Sequence, residues 1–256
     1  EECFCITLYR KGPYSMLVIH LILPVFLYSV LIVFLSLLIP LDSVGICTLA
    51  SAICGAVFLW VHGKEEEQKG RKNSVRRIWV KGAGWIALLG SLLAVSLNCL
   101  IQILNLYAFS PTYSQVSQEL YSSPVIWQIG GIVFLIPFNE EMMFRALGYI
   151  PAKDQLGFWP AAVLSSLLFG LYHGNLVQGV YAFCLGLTMA WLCQTSKSIW
   201  ASVLFHISAN LCLIILTATG LYLYVQNQRT VAAAVMVVSA AGGVLCFRKI
   251  MSLKGQ

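Results

Sequence analysis

Six polar side chains with catalytic potential stand inside three otherwise apolar stretches of the chain. In chain order they are Glu140, Glu141, Arg145, His173, His206 and Asn210. A glutamate beside an imidazole can deprotonate a water molecule and make it a nucleophile toward a carbonyl carbon. A second imidazole and an amide can donate hydrogen bonds to the oxyanion that then forms. This inventory matches peptide-bond hydrolysis without a serine or cysteine nucleophile.

The same residue types also permit a metal centre. Glu140, His173 and His206 could hold a divalent metal such as zinc, with an open position for water. The residues alone leave this alternative open beside the metal-independent mechanism.

Spacing groups the six side chains further. Glu141 and Arg145 are four residues apart, so on a helix they can form an ion pair. Glu140 points about 100° away around the same helix, which leaves it free for another role. His206 and Asn210 are also four residues apart and are expected to face one cavity.

Composition indicates a membrane protein. Of the 256 residues, 59% are hydrophobic and 10% are charged, whereas a soluble domain carries about 25% charged residues. The net charge of +6 does not indicate a nucleic-acid partner, because the basic residues stand at the ends of apolar segments. We expect a single transmembrane domain over 1–256. We expect no signal peptide in residues 1–15. The nine cysteines are expected to act as small apolar side chains.

A helix needs about 20 apolar residues to cross the roughly 30 Å of hydrocarbon in a bilayer. By this criterion the sequence predicts an all-α polytopic protein with about eight transmembrane helices and an intramembrane polar cavity. The predicted spans are approximately 16–39, 44–62, 83–108, 126–150, 159–174, 176–194, 198–224 and 231–247. We interpret the polar stretches 63–81 and 110–123 as loops.

The basic residues predict the orientation of these spans. Eight spans place both termini on one side, and that side holds 15 of the 16 lysines and arginines, all except Arg229. The positive-inside rule makes this side the cytoplasm.

The predicted depths of the polar side chains in the membrane support a shared site. At about 1.5 Å per residue from the predicted cytoplasmic helix ends, Glu140 lies roughly 15 Å deep, His173 about 20 Å and His206 about 13 Å. Taken singly, each polar group could serve only helix packing. Three helices that carry ionisable groups to a common depth indicate a functional site.

Three sequence motifs contain these residues: EExxxR at 140–145, FxxxH at 169–173 and HxxxN at 206–210. In this order, on separate spans, they resemble the three motifs of the CAAX-protease and bacteriocin-processing (CPBP, or Abi) family. The tract Ser198-Ile199-Trp200 before the third motif also resembles the family. The motif region covers about residues 125–215.

The resemblance implies an intramembrane endopeptidase whose cavity opens toward the cytoplasm. It implies that Glu140 and His173 activate the water. His206 and Asn210 would bind the oxyanion. The supporting residues would be Glu141 and Arg145. We favour a glutamate-type enzyme without a cofactor over a zinc enzyme, because three spans supply no compact HExxH-type ligand set.

The resemblance also bounds the substrate. Eukaryotic members of the family remove the last three residues of prenylated CAAX proteins, and bacterial members are associated with peptide maturation, bacteriocin immunity and quorum peptides. We therefore expect a hydrophobic or lipid-anchored peptide or protein, cleaved near its terminus. Small size and short loops suggest a bacterial source, hence an integral protein of the bacterial plasma membrane with both termini in the cytoplasm.

Two other classes of function compete with the peptidase. A non-enzymatic immunity protein or scaffold could keep the polar cluster for binding or assembly. A small proton-coupled transporter could use buried glutamate and histidine as a proton relay. Transport would be favoured by inverted repeats or broken helices, and neither is evident in the sequence.

Overall fold

The computed structural model describes residues 13–71 and 80–253, with side chains from Leu17 onward. Within these ranges the protein is helical and has no β-strand. Its helices are α1 (Pro13–Leu38), α2 (Ser43–Gln68), α3 (Ala83–Ile103), α4 (Pro111–Ser122), α5 (Val125–Leu156), α6 (Phe158–Tyr172), α7 (Leu176–Ser196), α8 (Ile199–Ala218), α9 (Leu221–Gln226) and α10 (Arg229–Leu253). A 3₁₀ turn, Leu106–Phe109, precedes α4.

The predicted all-α membrane architecture is confirmed. In the described part of the chain, six helices are long and apolar enough to cross a membrane, and the bent pair α4–α5 can supply a seventh span. The six are α1, α2, α3, α7, α8 and α10. The shorter apolar helix α6 completes a set of eight segments at the predicted positions.

The polar stretch 63–81, predicted to be a loop, is helical in its first part. Helix α2 continues to Gln68 and carries Glu66 near its end. The Arg71 Nη2 atom lies 2.6 Å from the Glu66 carboxylate, and its Nη1 atom lies 2.8 Å from Asp154 at the end of α5. These ion pairs attach the extra helical turn to the rest of the protein. The prediction failed because a run of charge does not by itself end a helix. Residues 72–79 lie outside the described ranges.

The second predicted loop, 110–123, is largely the helix α4. Pro111 occupies its first turn, where the absent N–H has no helical partner in any case. The half-buried side chains Tyr113, Val116, Ser117 and Leu120 follow the i, i+3, i+4, i+7 pattern of one helical face. Polar tyrosine and serine at these positions hid the amphipathic pattern in the sequence.

Two span boundaries also differ from the prediction. Helix α8 ends at Ala218 instead of near 224, because Gly220 adopts φ +74° and begins the separate helix α9. Helix α5 continues through Pro151 to Leu156, where Gly157 adopts φ +81°.

Helix α5 carries the EExxxR motif and has an unusual backbone. Two π-helical stretches, Gln128–Leu135 and Met142–Tyr149, flank the α-helical segment Ile136–Glu141. Such widened turns are rare and occur frequently at functional sites. The helix packs against α1, α2, α6 and α8, which buries every side chain from Asn139 to Tyr149.

Helix α6 is too short to cross the bilayer alone. Its 15 residues span about 22 Å, less than the roughly 30 Å of hydrocarbon. At Gly170 an added Cβ would stand 2.7 Å from the carbonyl oxygen of Gly179 on α7, so the two helices approach at backbone distance. Gly174, with φ +69°, and the Asn175 cap of α7 then reverse the chain. The turn therefore places His173 within the membrane layer.

The two ends of the bundle differ in charge. We call the end where α2, α5, α7 and α10 finish the basic face. Cross-links between helix ends hold it together, among them Arg71–Asp154 and Lys153–Gln194. The described basic side chains at this face are Lys64, Lys69, Arg71, Lys81, Lys153, Lys197, Arg248 and Lys249. We call the opposite end, which carries α4, the α4 face.

Candidate active site

An ion pair within α5 forms the deepest part of the site. The Arg145 Nε atom lies 3.3 Å from the Glu141 carboxylate, and both side chains are 0% exposed. The guanidinium carbon also lies 4.7 Å from the centre of the Phe169 ring, within cation–π range. The expected i, i+4 pair is thus present, and it is fully buried.

His206 bridges the two glutamates. Its Nδ1 atom lies 3.0 Å from a Glu141 oxygen, and its Nε2 atom lies 3.6 Å from a Glu140 oxygen. His206 is carried by α8. This helix begins after Ser198, whose side-chain hydroxyl accepts a hydrogen bond from the Trp200 N–H and caps the helix. The imidazole beside Glu140 is therefore His206, whereas the family resemblance had paired Glu140 with His173.

His173 packs against the Phe169 ring, as His206 does. Its ring centre is 4.9 Å from that of Phe169, and the His206 ring is 5.8 Å from it, both edge-on. The His173 Nδ1 atom lies 2.8 Å from the Phe169 carbonyl oxygen. Because a carbonyl only accepts, Nδ1 carries the proton, and in the neutral ring Nε2 keeps its lone pair.

Asn210 connects α8 to the first π-helical stretch of α5. Its Nδ2 atom donates a hydrogen bond of 2.8 Å to the Ile132 carbonyl oxygen. The amide nitrogen has a second N–H. This contact sets the distance between α8 and α5 one helical turn above His206.

A cavity of about 440 Å³ lies over these residues. Glu140, His173, His206 and Asn210 all line it, together with Phe169 at its floor. Glu141 and Arg145 are buried behind this lining. The structure thus brings the four predicted catalytic side chains to one cavity and keeps the two predicted supporting residues out of it.

The cavity extends from Glu140 toward the α4 face. Several helices contribute lining residues from their parts near α4, such as Cys47 on α2, Ile101 on α3 and Ile214 on α8. The resemblance implied a cavity open toward the cytoplasm, and the charge pattern placed the basic face there. The two expectations cannot both hold, because the cavity and the basic face lie at opposite ends.

The proposed metal ligands do not form a ligand group. In the ranges 13–71 and 80–253, no three His, Cys, Asp or Glu side chains are arranged to hold a metal ion. Glu140, His173 and His206 all line the cavity, but their side chains do not converge on one point as metal ligands would. We therefore derive no catalytic step through a metal.

Phe169 contacts three of the predicted site residues, and the sequence analysis assigned it no role. It was noted only as the first letter of FxxxH, yet its ring contacts Arg145, His173 and His206. The signal was available, because a residue four positions before His173 shares its helical face. The lining from α4 was also missed, since that segment was predicted to be a loop.

Comparison with known proteins agrees with this geometry. Residues 122–212 match the model of the type II CAAX prenyl endopeptidase Rce1-like family. The putative membrane peptidase YdiL of Bacillus subtilis (strain 168) is 24% identical over 169 residues, which cover 65% of this chain and 68% of that protein. These matches confirm the resemblance to the CPBP family. The matched segment contains all three motifs, and it supports an integral membrane protease that acts on a peptide in a lipid environment.

A second relative adds no functional argument. A cytochrome b of Zea mays is 33% identical over 127 residues, which cover 48% of this chain but only 29% of that protein. No solved structure matches the chain.

Proposed function

We propose that this CPBP-type protein is a glutamate-type intramembrane endopeptidase. Its substrate would be a hydrophobic or lipid-anchored peptide or protein, cleaved near a terminus at a bond held over Glu140. The observation that carries the proposal is the contact of His206 with both Glu140 and Glu141 at the floor of the cavity.

Glu140 is the proposed general base. Its carboxylate takes a proton from a water molecule while the water oxygen bonds to the carbonyl carbon of the substrate. When the tetrahedral intermediate collapses, the C–N bond breaks and Glu140 returns the proton to the leaving amine. The products are a carboxylic acid and an amine, and Glu140 is regenerated.

The cluster behind Glu140 supports this role by its charge. Arg145 pairs with the Glu141 carboxylate, and the His206 imidazole lies between Glu141 and Glu140. Buried charges persist where they are paired in this way. The Nδ1 atom of His206 faces Glu141, which leaves its Nε2 atom, beside Glu140, as the proposed contact for the oxyanion.

Asn210 and His173 complete the proposed machinery. The second N–H of the Asn210 amide would donate to the oxyanion, while the first holds the Ile132 carbonyl. The unprotonated Nε2 of His173 would accept a hydrogen bond from the attacking water and orient it toward the carbonyl. Glu141 and Arg145 are proposed to position His206 without touching substrate.

Two kinds of substrate fit this proposal. One is the lipid-anchored end of a CAAX-type protein, and the other is a secreted hydrophobic peptide, such as a bacteriocin or signal peptide, that is matured in the membrane. We place the protein in the plasma membrane of a bacterium, with both termini in the cytoplasm, because of the positive-inside rule.

Substitution of the base tests the mechanism. Purified protein in detergent or liposomes is incubated with fluorogenic hydrophobic peptides, and Glu140→Gln is compared with Glu67→Gln, which changes an exposed glutamate near the basic face. Glu140→Gln should lower kcat by about 10²–10⁴-fold, the typical contribution of a positioned base, and leave the unfolding midpoint unchanged. Near-normal turnover by Glu140→Gln would remove Glu140 from the role of base.

Chelation tests the choice of a glutamate-type mechanism. The wild-type rate should be unchanged after exhaustive dialysis against a strong chelator, with metal content measured on the same sample. A rate that falls with the metal content and returns on adding zinc would replace the glutamate mechanism with a metal-bound hydroxide.

A further inference from the structure

The cavity has a definite floor and a definite rim. Glu140 and His206 form the floor, and the rim lies at the start of α2 and on α4. At the rim the Ser43 hydroxyl donates a hydrogen bond of 3.4 Å to the Glu119 carboxylate. Both residues are exposed to solvent and both line the cavity, so the cavity reaches the surface at the α4 face.

Helix α4 lies across this opening. It bends by 105° from α5, because Ser123 is extended and Pro124 cannot continue a helix. Hydrogen bonds from Ser123 to Asp42, and from Gln128 to the Tyr121 carbonyl at 3.0 Å, hold the junction in place. The part of α4 that carries Glu119 is therefore held beside the entrance.

The charge of the lining is one-sided. Its two carboxylates are Glu119 at the rim and Glu140 at the floor, and no lysine or arginine belongs to the lining in the described part of the chain. Arg145 is buried behind the floor in its pair with Glu141. The remaining polar groups of the lining are hydroxyls, most of them from tyrosines, together with amides and imidazoles.

This charge pattern discriminates between substrates. In CAAX-type cleavage the C-terminal carboxylate lies three residues from the broken bond, which is at most about 10 Å along an extended chain. Such a carboxylate would enter a low-dielectric cavity whose lining, in the described part of the chain, offers it two carboxylates and no lysine or arginine. Like charges at about 10 Å repel by an amount worth roughly tenfold in affinity at an intermediate dielectric.

The position of the opening also indicates the side of the membrane from which a substrate enters. The opening lies at the α4 face, and the lysines and arginines lie at the basic face. The positive-inside rule puts the basic face in the cytoplasm. A peptide that reaches Glu140 through the gap beside Glu119 then comes from the other side.

We infer that the substrate is a peptide segment that enters from the non-cytoplasmic side, past Glu119, and carries no terminal carboxylate into the cavity. This inference rests on the proposed peptidase function. It selects secreted or membrane-inserted peptides cut at a bond remote from a free C-terminus, and it makes Glu119 a specificity-determining residue.

Matched peptides test the charge part of the inference. One hydrophobic sequence is prepared with the cleaved bond three residues from its end, once as the free acid and once as the amide. The amide should have the higher kcat/KM by about tenfold or more. Equal values, or a preference for the acid, would overturn the inference while leaving the peptidase intact. If neither these two peptides nor longer peptides with an internal cleavage site were cleaved, both the peptidase function and this inference would be refuted.

Variants of Glu119 at the rim test whether this residue causes the preference for the amide over the acid. Glu119→Gln keeps an acceptor for Ser43 and should reduce the amide-to-acid ratio of kcat/KM, and Glu119→Lys should reverse it. Glu67→Gln at the opposite end is the matched control and should leave the ratio unchanged. A ratio that is the same in all four proteins would show that Glu119 selects nothing.

Sealed vesicles test the side of entry. The paired variants Gln115→Cys on α4 and Gln155→Cys at the end of α5 both replace exposed glutamines, so labelling with an impermeant maleimide reports which face is outside. A charged, impermeant amide peptide should be cleaved only by vesicles in which residue 115 is labelled from the outside. Cleavage only by vesicles of the opposite orientation would overturn entry from the non-cytoplasmic side.

Discussion

Two glutamate–arginine pairs in this protein have the same chemistry and different surroundings. Glu66 and Arg71 meet at 2.6 Å near the basic face, where the Arg71 side chain is 37% exposed and also reaches Asp154. Glu141 and Arg145 meet at 3.3 Å in the interior, where both are 0% exposed. The first pair joins α2 to α5, and the second supports the floor of the cavity.

The stability of the fold is expected to depend more on the Glu141–Arg145 pair, although its contact is the longer of the two. Water and a second carboxylate share the charge of Arg71, so its loss is partly compensated. Within the described residues, the three Arg145 guanidinium nitrogens have no hydrogen bond of good geometry, and its neighbours are Glu141 and the Phe169 ring. Burial therefore makes the interior pair sensitive to any change of one partner, as buried ion pairs generally are.

The largest effect should come from breaking the interior pair on one side. Arg145→Met leaves the Glu141 charge buried without its cation and should destabilise the fold by about 3–5 kcal/mol. The measurement is the unfolding midpoint in detergent. The double variant Glu141→Gln/Arg145→Met should recover more than half of the loss, since it removes both charges. Additive losses in the double variant would mean that the two residues are not coupled.

A smaller effect should follow from crowding the same pair. A Cβ at Gly186 would stand 2.9 Å from the Ser166 Cβ atom and 3.1 Å from the Arg145 Nη2 atom. Gly186→Ala should therefore cost about 1–3 kcal/mol by overpacking and lower turnover by displacing Arg145. Gly84→Ala is the control, because nothing lies within 4 Å of its Cβ position. Equal stability of the two variants would contradict the role given to Gly186.

The aromatic neighbour of the interior pair should contribute less. Phe169→Leu keeps an apolar side chain but removes the ring over Arg145, which should cost about 0.5–2 kcal/mol. It should also lower kcat, because the ring contacts both His173 and His206. Phe134→Leu, at an exposed position of α5, serves as the reference. The ring has no electrostatic role if Phe169→Leu loses as much stability in the Arg145→Met background as in the wild type.

The smallest effect belongs to the pair at the basic face. The Glu66 side chain is 5% exposed, but Arg71 is 37% exposed and keeps Asp154 as a second partner. Glu66→Gln keeps a hydrogen-bonding side chain and should therefore cost about 1 kcal/mol. The cost should shrink further as salt is added, since exposed charges are screened. Unfolding midpoints at low and high ionic strength measure this. A loss as large as that of Arg145→Met would show that burial is not what separates the two pairs.

Much of the site could be predicted from the sequence because helical spacing is regular. Four residues between Glu141 and Arg145 suffice to predict their ion pair, and the order of the three motifs suffices to predict that they meet at a common depth. The two π-helical stretches of α5 could not be predicted, since they depend on how neighbouring helices donate hydrogen bonds to the freed carbonyls, as Asn210 does to Ile132.

The contacts between helices also lay beyond the sequence. Nothing in the spacing of Glu140, Glu141 and His206 tells which carboxylate each imidazole nitrogen meets, because the relative rotation of α5 and α8 decides this. Helix α4 was predicted to be a loop, and only its packing over the cavity shows which of its side chains face inward.

The sequence by itself determined the membrane class and the number and order of the apolar segments. It also determined the set of polar residues that the hydrocarbon layer would otherwise exclude. It did so because hydrocarbon tolerates few ionisable groups, and each one is therefore a signal. Tertiary structure alone decided that His206 bridges two glutamates, that the Phe169 ring contacts both imidazoles, and that the cavity opens away from the basic face. These features depend on helix rotation and on the shortness of α6, and packing sets both.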